Sequence, residues 1–424
     1  MKIEREIRND HLARIEGKAG VVVEIGDKIN ARINVTEGPR FFEVLARNRK
    51  YEDVPSICSR ICSFCSIPHK LTPIEAIENA LSIEVGEQIK EIRNMLYFGN
   101  VVESHALHLL LFVLPDYLGF ADAFSMAKNY QDLMKKGLLL KNFGAMVQEI
   151  IGKREIHPEN PVVGGFGKLP EEKEIKKIIQ GGKEAVRASI ELVDFMVEYE
   201  YPSFMNMERN HLSIKPYSGY GVYGDEIVAS DGNKFKINEY KNNIEERVIP
   251  YSFSKGSYYK NSPFMVGALS RLVNNRNLIE GSAKDLLNKY SNFIRAENCF
   301  ANNFAQAVEM VYFIEKIIEI AEKIKIKKEE KAKGGKSGHG FAVTEAPRGM
   351  LIYEVEIEDE IVKYMNVITP TAMFLPMMER DAENMAKGMW NNGYRDVELI
   401  GKKVEMAIRA YDPCISCSVH AVKK

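Results

Sequence analysis

Several whole classes of protein are excluded by what this sequence lacks. Its 424 residues carry a formal net charge of -1 and no basic tail or stripe, so nothing in it points to nucleic acid as a partner. No apolar run approaches the roughly 20 residues needed to cross a bilayer. The longest, residues 109–114 with their neighbours, falls far short, and no direct membrane span is expected. The opening residues Met1-Lys2-Ile3-Glu4-Arg5-Glu6 lack the apolar stretch of a secretory signal. Cysteine is scarce, with six in the chain. That is too few for a disulfide scaffold and better suits reduced thiols kept for chemistry. Glycine-rich nucleotide signatures are missing as well. Gly334-Gly335-Lys336-Ser337 is no phosphate loop, because Glu330 stands where the opening glycine belongs. Gly164-Gly165-Phe166-Gly167 lacks a dinucleotide fingerprint, so NAD(P) is not expected to bind this chain itself.

What is present is an ordinary globular composition, 45% hydrophobic and 28% charged, long enough for two or three domains or one large interwoven one. Residues 21–25 and 29–35 read as two strands around Gly26-Asp27, which predicts a hairpin. Thr72-Pro73 reads as an N-cap and first-turn proline, so a helix is expected to follow through Ile74, Ile77, Ala80 and Leu81. Helical spacing also covers 87–114, ending at Pro115, and 138–151, 171–197 and 303–324. In the last, Phe304, Val308, Val311, Tyr312 and Ile318 share a face. Short strands and turns are expected over 214–235, and a second hairpin over 350–357 and 361–368. The charged run 325–336 reads as a solvated loop and the best candidate for local mobility. The fold class is therefore mainly α with small β-sheets, its long helices packing as a bundle.

The cysteines are unevenly placed. Cys62 and Cys65 form one C-x-x-C pair, Cys414 and Cys417 a second near the other end, and Cys58 and Cys299 stand apart. Two intervening residues let both sulfurs of a pair reach one metal, and two pairs make a four-thiolate site for a soft or borderline transition metal. A structural zinc site fits the same residues, although its pairs ordinarily lie some 15–20 residues apart. A thioredoxin-like redox pair fits either motif alone. Nearly the whole chain separates the two pairs here, which suits a buried centre formed by both chain ends. Cys58 and Cys299 read as small buried apolar residues.

With those motifs in view, the sequence resembles the large subunits of nickel–iron hydrogenases. The resemblance is carried by Arg60-Ile61-Cys62 through Cys65 to His69, and by Asp412-Pro413-Cys414 through Cys417 to His420. In between lie Ala13-Arg14-Ile15-Glu16-Gly17, Gly38-Pro39-Arg40-Phe41-Phe42-Glu43, Glu103-Ser104-His105, Glu345-Ala346-Pro347-Arg348-Gly349 and Thr369-Pro370-Thr371. Cys-Ser-Phe-Cys, Pro-Phe-Met-Val-Gly-Ala at 263–268 and the wording around Cys414 look most like the soluble sulfhydrogenase-type branch. Its members are cytoplasmic, couple dihydrogen to NAD(P) and also reduce sulfur or polysulfide.

The resemblance implies roles that spacing alone does not. Cys62 and Cys414 would be terminal on nickel, and Cys65 and Cys417 would bridge nickel to an iron carrying carbon monoxide and cyanide. Arg348 would overhang the open face, polarising dihydrogen rather than acting as a literal base, since a guanidinium is not deprotonated in proteins. Cys414 would take the first proton, and Glu16 would relay it outward with a pKa raised by burial. Without the resemblance, Glu16 reads as a surface or salt-bridged carboxylate. Asp412 would fix Arg348; by itself it is also a turn-starting Asp before proline. Pro347 and Thr371 would line the diatomic ligands, and His69 would sit beside Cys65. Glu43, His420 and the backbone carbonyl of about Val367 would hold magnesium.

Residues 1–420 would form a single large-subunit domain, with 421–424 removed on maturation by a protease acting after His420. Partners would be an iron–sulfur small subunit and, beyond it, flavin- and NAD(P)-binding electron-transfer subunits. Two departures from the family pattern stand out: Ser104 where many relatives carry aspartate, and Ala372-Met373-Phe374 where many carry polar residues. Rival readings are another hydrogenase branch using a deazaflavin, viologen-type or membrane-complex acceptor, a metal-free homologue, and a zinc protein.

Overall fold

Four long amphipathic helices need a common interior, and in the computed structural model, which describes residues 3–419, they share one. The elements that position the site are strands β1 (Ile3–Asn9), β2 (Ala19–Gly26) and β3 (Ile29–Val35), and helices α1 (Pro68–Leu81), α2 (Glu87–Leu107), α3 (Gln131–Gly152) and α4 (Glu172–Met196). They continue with β4 (Asn210–Lys215), α5 (Ala268–Asn275) and α6 (Ala301–Lys323). After β5 (Gly338–Ala346), β6 (Gly349–Glu358) and β7 (Ile361–Ile368), the chain ends in α7 (Pro370–Asn391), α8 (Val397–Arg409) and α9 (Ile415–Ser418). Helices α2, α3, α4 and α6 pack in a closed ring, each against two others, as a bundle. The tightest crossing is between α2 and α3, where a Cβ on Gly144 would lie 2.5 Å from the Gly99 carbonyl oxygen. Only glycine permits that approach.

The hairpin expected over residues 21–35 is β2–β3, with β1 added on the outside of β2. The expected second hairpin is β6–β7, and β5 pairs antiparallel with β6 from Gly338↔Ile357 to Ala346↔Gly349. Helix α1 lies across this sheet and brings the first cysteine segment to its end.

Two helix boundaries, and the reading of apolar length, differ from expectation. Helix α1 starts at Pro68, not at Thr72-Pro73, so Pro73 lies inside it. Pro68 takes the N1 position where its missing N–H costs nothing, and the Thr72 hydroxyl donates to the Pro68 carbonyl at 2.8 Å. The second long helix does not stop at Pro115: it passes through a π-helical segment at His108–Val113 and ends at Gly119, with φ 76°. Pro115 falls where the i→i−4 ladder is already interrupted, so its ring displaces no helical bond. Taken whole, Glu87–Leu118 is long and apolar enough by composition to cross a membrane, contrary to the reading from residues 109–114. Its most apolar window is, however, 78% buried inside the protein, as expected of a core helix.

The 325–336 segment has no regular structure, as expected, but it is strapped down. Ala332 N–H donates to Gly164 O (2.9 Å), Gly335 N–H to Leu81 O (2.7 Å) and Lys327 N–H to Gln88 Oε1 (2.7 Å).

Beneath the sheet, Glu75 of α1 has a buried carboxylate oxygen, Oε2, with no hydrogen-bond partner among the described residues. Burial, and then the charge of Glu78, push its pKa from 4.5 up to about 8. The folded protein therefore keeps a proton here that the unfolded chain releases, and this contribution to stability is complete below about 4.5 and is lost as pH rises to about 8. Glu75→Gln should leave the thermal midpoint near pH 4.5 unchanged, raise it at pH 8 and flatten the slope between. Parallel midpoint–pH curves for the two proteins would contradict this.

Candidate metal centre

The two C-x-x-C pairs arrive from opposite ends and meet. Cys62 follows a 3₁₀ turn (Ser59–Ile61), Cys65 lies three residues further on, and Cys414 and Cys417 sit at the start of and within α9. The Sγ atoms of Cys62 and Cys414 are 3.1 Å apart, those of Cys65 and Cys417 3.0 Å, and those of Cys414 and Cys417 2.7 Å. All four lie within 4.8 Å of one another, buried and undisulfided. Two thiolates on one metal at about 2.3 Å each cannot be more than about 4.6 Å apart, so the spacing fits shared metal ligation. Arg40 staples the two segments, donating to the carbonyls of Ile61 and, at 2.7 Å, Ser416. The Cys414 N–H donates to Thr371 Oγ1 at 2.9 Å, and the Ile415 N–H to the Glu16 carbonyl at 3.0 Å.

Arg348 occupies the two-residue tip of the β5–β6 hairpin, between Pro347 and Gly349. Gly349 has φ 133°, and a Cβ there would lie 2.5 Å from Val266 Cγ2, so no other residue fits the turn. The Arg348 side chain is buried. Its Nε donates to the Asp412 carbonyl (2.8 Å), its Nη2 to Asp412 Oδ1 (2.8 Å) and its Nη1 to Ser104 Oγ (3.1 Å). The guanidinium also stacks 5.6 Å from the Phe64 ring centroid. Asp412 adopts φ 54°, a left-handed conformation uncommon outside glycine, and receives a further bond from Gln306 Nε2 at 3.2 Å.

The sulfurs are electrostatically unequal. Burial pushes Cys62 upward, but hydrogen bonds from the thiols of Cys414, Cys417 and Cys65, with the nearby Arg348 charge, more than reverse this and hold it well below the usual thiol range. Burial raises Cys65, Cys414 and Cys417. Arg348 loses solvation too, yet Asp412 and the sulfurs of Cys414, Cys65 and Cys62 keep it firmly charged. Four soft donors, one fixed cation and a small cavity lined by Arg348, Leu351, Pro370 and Thr371 against Cys65, Cys414 and Cys417 make a place for a polarising metal with an open position. A closed structural zinc needs no such opening.

A sequence profile described as nickel-dependent hydrogenase matches residues 40–141 and 213–420, well over half of the chain. The protein belongs to that family. This hydrogenase large subunit is 44% identical to the sulfhydrogenase 1 alpha subunit of Pyrococcus furiosus over 98% of its own length and 97% of that chain. It is 39% identical to the sulfhydrogenase 2 alpha subunit of the same organism, over 98% and 99%. A crystal structure of an NAD+-reducing NiFe hydrogenase in the H2-reduced state superposes with a TM-score of 0.91, at 25% identity, covering 99% of this chain and all of the other. The chain is thus a catalytic oxidoreductase subunit of the nickel–iron type, with the fold that the resemblance implied.

The remaining sequence-derived residues fall as follows. The Glu16 carboxylate accepts the Ser416 N–H at 3.0 Å and the Ser416 hydroxyl. Burial first, then the Cys62 charge, raise its pKa against the lowering effect of Ser416 and of Cys414, whose main chain pairs with that of Glu16. The His69 ring approaches Cys417 Sγ through Nε2 at 3.5 Å, while its backbone N–H bonds the Cys65 carbonyl at 3.1 Å. Pro347 is not among the residues lining the cavity; Ala346 and Arg348 on either side of it are. Glu43 and Val367 are adjacent, but through the Val367 N–H, which donates to Glu43 Oε1 at 2.9 Å. His420, expected to ligate magnesium and mark the processing point, lies outside the described residues. Cys58 and Cys299 are buried, as expected of small apolar positions.

Sequence reasoning assigned nothing to Arg40, Tyr353 or Ser416. Arg40 stands inside a quoted motif, a usable signal. Ser416 stands inside the second cysteine motif and carries the same signal, whereas Tyr353, whose hydroxyl is 2.7 Å from His69 Nδ1, carries none, because its partner is distant in sequence.

Proposed function

We propose that this large subunit cleaves dihydrogen reversibly at a nickel–iron pair held by Cys62, Cys65, Cys414 and Cys417, and passes the electrons through partner subunits to NAD(P) and also to sulfur or polysulfide. The observation that carries the reading is the meeting of four buried thiols under a charged, immobilised Arg348. When bound, nickel with an iron carrying carbon monoxide and cyanide supplies heterolytic cleavage. The chain's own residues then place the substrate and move the proton. Arg348, fixed by Asp412, presents its positive fork to the cavity beside the sulfurs and polarises what enters. The Cys414 sulfur receives the proton and hands it to the Glu16 carboxylate, whose main chain pairs with that of Cys414 and which is easily protonated because it is buried. Ser416, which donates to Glu16 and lies 3.5 Å from Glu37 Oε2, continues that route outward.

Thr371 and His69, which line the cavity, and Pro347 just outside its lining would surround the diatomic ligands of the iron, and Glu43, Val367 and His420 would hold a magnesium ion. The sulfhydrogenase and NAD+-reducing relatives favour an iron–sulfur small subunit with flavin- and NAD(P)-binding subunits beyond it. The same likeness favours a cytoplasmic enzyme, one catalytic domain over residues 1–420 and removal of 421–424 by a dedicated protease.

The purified complex is expected to contain nickel and iron, to show sharp infrared bands from carbon monoxide and cyanide in a region where protein does not absorb, and to exchange dihydrogen with deuterated water. Zinc in place of both metals, with no such bands, overturns the reading.

A further inference from the structure

Arg271 of α5 is buried away from the sulfurs, and every N–H of its fork is engaged. Nε and Nη2 donate to the two oxygens of Glu309 at 2.7 and 2.6 Å, and Nη1 to Glu345 Oε2 at 2.9 Å. The two remaining N–H groups take the main-chain carbonyls of Ala346 at 3.0 Å and Pro347 at 3.1 Å. These are the last two carbonyls before Arg348, and the Pro347 oxygen belongs to the peptide plane that carries the Arg348 nitrogen. The anchors are stationary. Glu309 lies on bundle helix α6 and also receives Tyr220 OH (2.5 Å) and His105 Nε2 (2.9 Å), and Glu345 receives the Ile214 N–H of β4 (2.9 Å). On the far side of Arg348 stands Gly349, which offers the turn no side chain of its own. That side of the tip packs closely on Val266 and Gly267, while the side-chain hydrogen bonds to the Ala346 and Pro347 carbonyls come from the Arg271 guanidinium.

A buried ion cluster is a weak argument for stability, since desolvating its charges opposes what their pairing gains. This cluster is spent instead on two carbonyls beside the cation that faces the metal site. We infer that Arg271 is a positioning residue for the dihydrogen chemistry proposed above, on which this inference rests: by clamping the Ala346 and Pro347 carbonyls it aims the Arg348 guanidinium at the four sulfurs. Only an arginine can do this, because a lysine ammonium lacks the flat fork that spans two carboxylates and two carbonyls.

The test uses the metal-loaded complex and the Arg271→Lys variant. Nickel and iron content should be retained. The infrared bands of the iron ligands should shift or broaden, because Arg348 no longer keeps one place beside them. Turnover per nickel should fall about a hundredfold, as for an ångström-scale misplacement of a catalytic group. The double variant Arg271→Lys/Arg348→Lys should be no slower than Arg348→Lys alone, since the first change acts through the second residue. Unmoved bands with undiminished turnover, or losses that multiply in the double variant, overturn the inference. Should Arg271→Lys fail to load metal, Glu345→Gln, which leaves the Glu309 pair intact, must shift the same bands; unaltered bands there overturn it equally. Absence of nickel, iron and diatomic bands from the unmutated complex would instead remove the underlying functional reading.

Discussion

Cys414→Ser is expected to yield a folded chain with no nickel above background and no dihydrogen turnover. Cys414 is the hub of the four sulfurs, with Cys417 at 2.7 Å, Cys62 at 3.1 Å and Cys65 at 3.9 Å. A serine hydroxyl is a hard donor with a far higher pKa, so it offers a soft metal neither the polarisability nor the anion that a thiolate does. The same substitution removes the thiol next to Glu16 that takes the first proton, so the proton route is cut along with the ligand set. The backbone is not at risk, because the contact to Thr371 is made by the Cys414 N–H and the neighbouring contact to Glu16 by the Ile415 N–H. Cys58→Ser, an equally buried thiol outside the four, is the control and should keep its nickel. Elemental analysis with circular dichroism of both variants checks the expectation. Stoichiometric nickel in folded Cys414→Ser would remove Cys414 from the ligand set.

The part of this centre that was legible in the sequence is the part whose chemistry needs a short spacing. Two residues between thiols, and an Asp-Pro immediately before one of them, are local patterns. The long helices and both hairpins were visible for the same reason, since periods of 3.6 and 2 are written in neighbouring residues. Less legible were features decided by tertiary context. Proline at 68 and proline at 73 give the same start signal, and only the Thr72 bond to the Pro68 carbonyl shows which of them opens the helix. Helix α7 escaped because its first half, Pro370 to Met378, is buried all round and carries no period; a polar face of Arg380, Glu383, Asn384 and Lys387 appears only in its second half. Arg271 pairs with carboxylates 38 and 74 residues away, and Arg40 reaches a carbonyl 376 residues away. No window of sequence contains both partners. Resemblance supplied the ligand roles; geometry supplied the clamps that hold them.

Arg348→Lys should leave the metals in place and still remove about a thousandfold of turnover, the upper end of what losing one preorganised donor costs. Arg348 is not a ligand, so nickel and iron content should not change. The native fork makes three directed bonds at once, two to Asp412 and one to Ser104, while its plane lies over Phe64. A lysine ammonium on a flexible stem cannot keep all three and still present charge to the cavity. It would collapse onto the Asp412 carboxylate, which is buried and otherwise has, among the described residues, only Gln306 Nε2 at 3.2 Å and His108 at 4.0 Å, and the site would keep its net charge but lose its aim. Charge and orientation are thereby separated. If a positive charge near the sulfurs is all that is needed, the variant turns over within tenfold of the parent and Arg348 has no directional role. If the fixed fork is needed, dihydrogen oxidation per nickel falls by three orders of magnitude while infrared spectroscopy still finds carbon monoxide and cyanide on the iron. The second outcome is expected, because the protein commits Asp412 in a left-handed conformation, Ser104 and Phe64 to holding that one guanidinium still.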